Sequence, residues 1–199
     1  MAKKSQDPSH DCLLWTVMES PVGNVLIAVS DVGVRRVEFV DDDNFETNLK
    51  KCRDMKTSDT QRDLLKRSSD ELHQYFVGKR TAFSVPLDIN GTEFQKRVWN
   101  ALLQIPFGQT RSYLEQAQMI GQPSAVRAVG SANSKNPVAI VVPCHRVIAS
   151  SGALSGYAGG IDKKTWLLQH EKMVASARKN GCCSMNHRIH NEASVRSSA

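Results

Sequence analysis

No stretch of this chain approaches the ~20 consecutive apolar residues that a membrane-spanning helix needs, so no such helix is expected. The N-terminus, Met-Ala-Lys-Lys-Ser-Gln-Asp-Pro, lacks the apolar core of an export signal, and an intracellular protein is expected. The chain is poor in cysteine: five in 199 residues, an odd number at irregular spacing. That excludes the disulfide framework of small secreted domains, and inside a cell the thiols stay reduced. Metal-ligand spacing is lacking too. Cys182, Cys183, His187 and His190 cluster near the C-terminus without a standard zinc pattern, and His10 and Cys12 are the only clustered candidates before residue 88. No metal and no cofactor are therefore expected.

What is there is an uneven charge. Residues 1–84 carry 13 Lys/Arg against 14 Asp/Glu, residues 85–172 carry 9 against 5, and residues 173–199 carry 4 against 1. The positive excess lies in the second half, as phosphate-backbone binding requires. Mildly basic surfaces are common, so charge alone does not establish nucleic-acid binding.

Residues 1–12 are polar and expected to be flexible. Leu13–Glu19, Val25–Val29 and Val34–Val40 read as three strands, with turn signals at Ser20–Asn24 and Asp31–Gly33, which predicts an antiparallel meander. Asp41–Asn44 offers N-caps for a helix over about 45–56. Leu64, Leu65, Leu72, Tyr75 and Phe76 predict an amphipathic helix over 63–76, stopped near Gly78. Phe83–Leu87 is a short extended link, and the domain boundary falls near residue 88. The N-terminal part, 13–88, shows no catalytic cluster and reads as a scaffold.

Beyond the boundary, Gly91-Thr92 can cap a helix whose face holds Phe94, Val98, Ala101, Leu102 and Ile105, with Trp99 expected in the core. Ser112 and Glu115 form a capping box for a helix over about 113–120. Gly121-Gln122-Pro123 is a turn, and Ser124 can cap a second helix over 125–134. Helix, glycine-containing turn, helix is the helix-turn-helix pattern. Arg127 in the first turn of the second helix, among the small Ala125, Ala128, Gly130 and Ser131, suits close approach to a groove. The same small face could pack against another helix. A helix carrying Trp166, Leu167 and His170 closes the 89–172 domain, and residues 173–199 read as a disordered basic tail.

The stretch Val138–Ile148 carries the chemistry. Val138–Val142 reads as a buried strand or a buried connection that stops at Pro143. Cys144 and His145 follow side by side. A cysteine becomes a good nucleophile when a nearby base or cation favours its thiolate, whereas an apolar site alone does the opposite. These residues leave open a cysteine hydrolase, a helix-turn-helix regulator with an inert cysteine, and a group-transfer protein.

Pro143-Cys144-His145-Arg146-Val147 resembles the active-site motif of the O6-alkylguanine-DNA alkyltransferases. Ile105–Tyr113 resembles that family's lead into its helix-turn-helix, Ala125–Gly130 its recognition helix, Asn136-Pro137-Val138 its hinge, Gly156–Gly160 its substrate loop and Lys164–Glu171 its closing helix. The segments keep the family's order over about residues 90–172, and a weaker resemblance runs back to about residue 13.

The resemblance implies an α/β (α+β) protein: an N-terminal ribonuclease H-like domain with a small antiparallel sheet, and a mostly helical C-terminal domain with a winged helix-turn-helix. It implies direct, irreversible transfer of an alkyl group from guanine O6, with O4 of thymine a further possibility, to Cys144. His145 would act as base through a water, Glu171 would orient it, and Asn136 would tie the active-site turn. Tyr113 would donate to the ring nitrogen of the leaving base. The carbonyls of Cys144 and Val147 would accept from its exocyclic amine, Tyr157 would line the pocket, and the backbone N–H of Ala158 would donate to O6. Position 158 is serine in some relatives, so a hydroxyl is missing here. Arg127 would fill the stack left by an extruded nucleotide, with Tyr113, Gln122, Ala125, Ser134, Lys135 and Ser150 as further DNA contacts. The implied partner is double-stranded DNA holding O6-alkylguanine, bound in its minor groove by a monomer, in the nucleus of a eukaryote or the cytoplasm of a bacterium.

Overall fold

The structure, a computed structural model, describes residues 13–40, 57–154 and 156–179. Strands β1 (Leu14–Met18), β2 (Asn24–Val29) and β3 (Val34–Val40) form the expected antiparallel meander, with β2 central and Val25 through Val29 fully buried. The helix expected over 45–56 lies outside the described residues.

Helix α1 spans Asp59–Phe76 and begins four residues earlier than the apolar pattern indicates. The cause is a capping box: the Ser58 side chain accepts from the Gln61 backbone, and the Gln61 side chain accepts from the Ser58 backbone. Gly78, at φ +74°, stops the helix in a conformation that side chains avoid. The link to the second half is not a bare connection. Val34 donates to the Pro86 carbonyl at 2.8 Å and accepts from Asp88 at 2.9 Å, so residues 86–88 run beside β3 as a further strand-like partner.

Helix α2 (Glu93–Leu103) starts at a Thr92/Gln95 capping box. Strand β4 (Arg111–Ser112) leads into α3 (Tyr113–Met119), capped by Ser112 and Glu115 as expected. Ser124 does not cap the next helix. It lies inside a 3-10 turn, Pro123–Ala125, that precedes α4 (Val126–Ser134), whose first turn has no side-chain cap. Buried polar groups lock α2, α3 and α4 together. Gln116 and Asn133 exchange amide hydrogen bonds at 3.1 and 2.7 Å, and Gln116 also donates to the Val98 carbonyl. Trp99, buried as expected, donates to the Ala132 carbonyl at 2.9 Å.

Val138–Val142 is a buried connection and no strand of its own. Val37 of β3 donates to Pro137 and accepts from Ala139, which adds this connection to the N-terminal sheet. The chain then turns tightly. Ile140 sits at φ +71° inside a turn closed by Val141 donating to the Ala139 carbonyl at 2.8 Å. A β-branched residue is held there only when its surroundings enforce it, at a cost on the order of 1–3 kcal/mol. Ile140 is fully buried, so packing supplies that enforcement. A 3-10 turn, Cys144–Arg146, and strand β5 (Val147–Ile148), parallel to β4, complete the segment.

Helix α5 runs Ile161–Lys179, which corrects the boundary expected at residue 172. Residues 173–179 continue the helix, and only 180–199 of the expected tail lie outside the described residues. Glu171, Val174, Ala175 and Arg178 share a face at helical spacing. Val174 lies against Gly78, Ala175 against Gly108, and Arg178 donates to the Gly78 and Lys79 carbonyls at 3.2 and 2.8 Å. One valine, one alanine and one arginine make too faint an apolar pattern to be read from sequence.

Candidate active site

Cys144 opens the 3-10 turn at the end of the buried connection, with its Sγ 3.2 Å from Asn136 Nδ2. The same amide donates to the Val142 carbonyl at 2.7 Å, while Asn136 Oδ1 accepts from the Val138 backbone at 3.1 Å. Asn136 therefore ties both ends of the turn and touches the sulfur. Burial pushes the Cys144 thiol above its ordinary value, and the Asn136 hydrogen bond and the charge of Lys164 oppose this only in part. The resting group is a thiol, and the site needs a base.

His145, the base expected from the sequence, is fully buried beside Cys144 in the chain. Burial holds its pKa below the ordinary value against the opposing influence of Glu171, so the imidazole is neutral at neutral pH. Nε2 lies 2.8 Å from Glu171 Oε1. A carboxylate can only accept, so Nε2 carries the proton and Nδ1 keeps its lone pair. Nδ1 is buried and has no partner among the described residues.

Glu171 is the hub. Burial raises its pKa, but hydrogen bonds and charge from His145 and Arg146 outweigh this and hold it at about 2. Arg146 Nε and Nη2 reach the carboxylate at 2.9 Å each, Gly108 N–H donates to Oε2 at 2.8 Å, and the Tyr75 hydroxyl donates to Oε1 at 3.0 Å. The guanidinium continues to the Ile105 carbonyl at 2.6 Å and lies over the Phe107 ring. Gly108 must be glycine: φ is +74°, and a Cβ would meet Ala175 at 2.9 Å. Arg146 balances Glu171, and the charge of Lys164 remains to favour a thiolate at Cys144 and to disfavour an imidazolium at His145.

Three of these groups have no role in the sequence-based reading. Arg146 stands in the motif but was assigned nothing. Lys164, fully buried, donates to the Val147 carbonyl at 2.7 Å, and burial lowers its pKa. That carbonyl keeps a second lone pair for a ligand. Tyr75 comes from α1, which corrects the reading of the N-terminal part as scaffold alone. Phe39 of β3 adds to the correction, packing edge-on to Tyr157 with ring centroids 6.3 Å apart. The Tyr157 hydroxyl is buried with no partner among the described residues, and burial followed by the charge of Cys144 raises its pKa well above the ordinary value.

The remaining expected residues surround this centre. Tyr113 begins α3 with its ring near Gly130 of α4, its hydroxyl near Gly156 of the loop and Lys164 Nζ 6.0 Å from its centroid. Ala158 lies exposed on the loop beside Tyr157. Arg127 is exposed on the first turn of α4. Gln122 and Ala125 precede that helix, Ser134 and Lys135 are exposed at its far end, and Ser150 is exposed after β5.

Fold and site together define a class: a helix-turn-helix protein whose cysteine shares one 3-10 turn with a buried histidine and an arginine, both held by Glu171. Residues 13–89 match the model for the 6-O-methylguanine DNA methyltransferase ribonuclease-like domain, and residues 93–173 match the model for the DNA binding domain of the same proteins. A methylated-DNA–protein-cysteine methyltransferase of Methanosarcina acetivorans is 45% identical over 159 residues, 80% of this chain and 98% of that protein. One from Mycobacterium bovis is 60% identical over 108 residues, 54% of this chain and 66% of that protein. A crystal structure of Mycobacterium tuberculosis OGT in complex with DNA superposes with a TM-score of 0.68 at 44% identity, covering 80% of this chain and 93% of that one. The chain belongs to the 6-O-methylguanine DNA methyltransferase family.

Proposed function

We propose that this protein repairs DNA by transferring a methyl or larger alkyl group from O6 of guanine to Cys144, once per molecule. The observation that carries the reading is a half-buried Cys144 in the same 3-10 turn as the buried His145–Glu171 pair, in a chain that matches the family over both halves. His145 Nδ1 takes the thiol proton through a water, and Glu171 holds the ring with that nitrogen unprotonated. The sulfur then attacks the alkyl carbon. A C–S bond forms as the C–O6 bond breaks, and the electron pair leaves with guanine. Tyr113 donates to the ring nitrogen and the Ala158 N–H to O6, which neutralises the departing base. The carbonyls of Cys144 and Val147 accept from the exocyclic amine and thereby select guanine over adenine.

A half-buried sulfur set back in the fold cannot reach O6 within a duplex, so the nucleotide is extruded, at a cost of a few kcal/mol. Arg127 enters the gap from the minor groove, where little sequence is read, as suits a protein that must find damage anywhere. Gln122, Ala125, Ser134, Lys135 and Ser150 hold the flanking backbone. The protein acts as a monomer without cofactor, in the nucleus of a eukaryote or the cytoplasm of a bacterium.

The test is stoichiometry. With a duplex carrying a labelled methyl on guanine O6, label appears on protein up to one per molecule and then stops. Continued release of a small labelled product would identify a cysteine hydrolase instead.

A further inference from the structure

Tyr75 is the one group of the relay that comes from the N-terminal half. It lies in the last turn of α1, fully buried, 96 positions in sequence from its partner. Its ring is packed by Phe76, Phe83, Phe107 and His170 at centroid distances of 5.3 to 6.0 Å. Its backbone carbonyl accepts from His170 Nε2 at 2.8 Å, so α5 grips this residue at both ends. A buried phenol needs an acceptor, and a merely structural tyrosine would satisfy that need on any carbonyl. Here the acceptor is Glu171 Oε1, the same oxygen that receives His145 Nε2. Arg146 bridges the two oxygens, with Nη2 2.9 Å from Oε1 and Nε 2.9 Å from Oε2, and Gly108 N–H completes Oε2.

We propose that Tyr75 is a positioning residue of the alkyl-transfer relay: its hydroxyl shares Oε1 with His145 and so weakens the carboxylate's hold on the imidazole proton. The inference rests on the function proposed above and adds to it a task for the N-terminal domain. Each donor to a carboxylate takes up part of its charge, which leaves less to stabilise an imidazolium. Tyr75 stays protonated and donating, because burial and the charge of Glu171 raise its pKa well above the ordinary value. The charged and titratable groups around the His145–Glu171 pair are Cys144 and Arg146 from the active-site turn, Lys164 and His170 from α5, Tyr75 from α1 and Tyr157 from the loop. Only Tyr75 can be altered at Oε1 without changing a formal charge or a ligand-facing group.

The experiment is Tyr75→Phe, which keeps the ring. Loss of the donor leaves Oε1 more basic, so the imidazolium of His145 is favoured and its titration moves up. The base works only when neutral, so the acid limb of the single-turnover rate against O6-methylguanine duplex moves to higher pH. On the acid limb, below the wild-type midpoint, the rate falls by up to about tenfold for each unit that the limb moves, one pKa unit being tenfold. The ¹⁵N shifts of His145 in the unreacted protein report the same change without any transfer. Phe76→Leu loosens the same helix end, lowers the melting temperature and leaves the acid limb in place. Should Tyr75→Phe fail to fold, 3,5-difluorotyrosine at position 75 is a stronger donor and moves the limb the opposite way. His145 shifts and a pH profile identical to wild type would overturn the inference. Absence of methyl transfer by the wild-type protein would overturn the function while leaving the His145 measurement to stand.

Discussion

Asn136 Nδ2 lies 3.2 Å from Cys144 Sγ while it holds the Val142 carbonyl at 2.7 Å. One amide thus couples the shape of the turn to the reactivity of the sulfur. Asn136→Ala removes both contacts and is expected to slow transfer about ten- to a hundredfold, a loss of one or two hydrogen bonds of ~1–1.5 kcal/mol each. Asn136→Asp should be worse, because a carboxylate beside the sulfur opposes the thiolate. Iodoacetamide labelling of Cys144 against pH checks this: the thiol's titration should move up in both variants, further in Asn136→Asp.

Glu171 gives a pH dependence of stability. Its pKa in the folded protein is about 2, below its ordinary value. A carboxyl depressed by folding stabilises the native state above its unfolded pKa of ~4.3, and that stabilisation disappears as pH falls through about 4 towards 2. Glu171→Gln leaves Arg146 buried without its counter-charge and should cost about 3–5 kcal/mol at neutral pH. Urea unfolding across a pH series should show wild type losing stability steeply below about pH 4 and the variant following a flatter course.

Arg127 is exposed on the first turn of α4, and the hydrogen bonds described for the Cys144 cluster do not involve it. If it stabilises the extruded nucleotide, Arg127→Ala slows repair of duplex O6-methylguanine by about ten- to a thousandfold, because extrusion costs a few kcal/mol. Reaction with free O6-benzylguanine should be nearly unchanged. Single-turnover kinetics at saturating DNA separates this from weaker binding. An equal fall on both substrates would place Arg127 in the support of the fold.

The last two turns of α5 matter to the fold. A chain ending at Lys172 loses Val174, Ala175 and the Arg178 contacts to the Gly78 and Lys79 carbonyls. Its melting temperature should fall by several degrees, since about 1 kcal/mol corresponds to ~2–4 °C in a domain of this size. A chain ending at Lys179 keeps these contacts and should melt above the chain ending at Lys172.

Local signals were the legible ones. Ser112 is legible from a capping box a few residues long and Thr92 as a bare cap candidate, and the capping-box rule read at Ser58 places the start of α1. Ser124 had the right chemistry but fell inside a 3-10 turn, because Pro123 begins that turn one residue earlier. The motif around Cys144 exposed Cys144, His145 and, through resemblance, Glu171 and Asn136. Tyr75, Lys164 and Arg146 were not legible as parts of the site. Tyr75 reads as one more apolar position on α1, and Lys164 as a solvated helix residue. Their roles come from long-range packing that places a phenol on a carboxylate and an ammonium on the Val147 carbonyl.

The most direct measurement is mass spectrometry of the intact protein and its peptides after exposure to excess duplex carrying O6-methylguanine. The prediction is a gain of one methyl group per molecule, confined to the peptide holding Cys144, and no gain in Cys144→Ser. A methyl group on Cys12, Cys52, Cys182 or Cys183, or transfer by Cys144→Ser, would contradict the assignment of Cys144 as the acceptor.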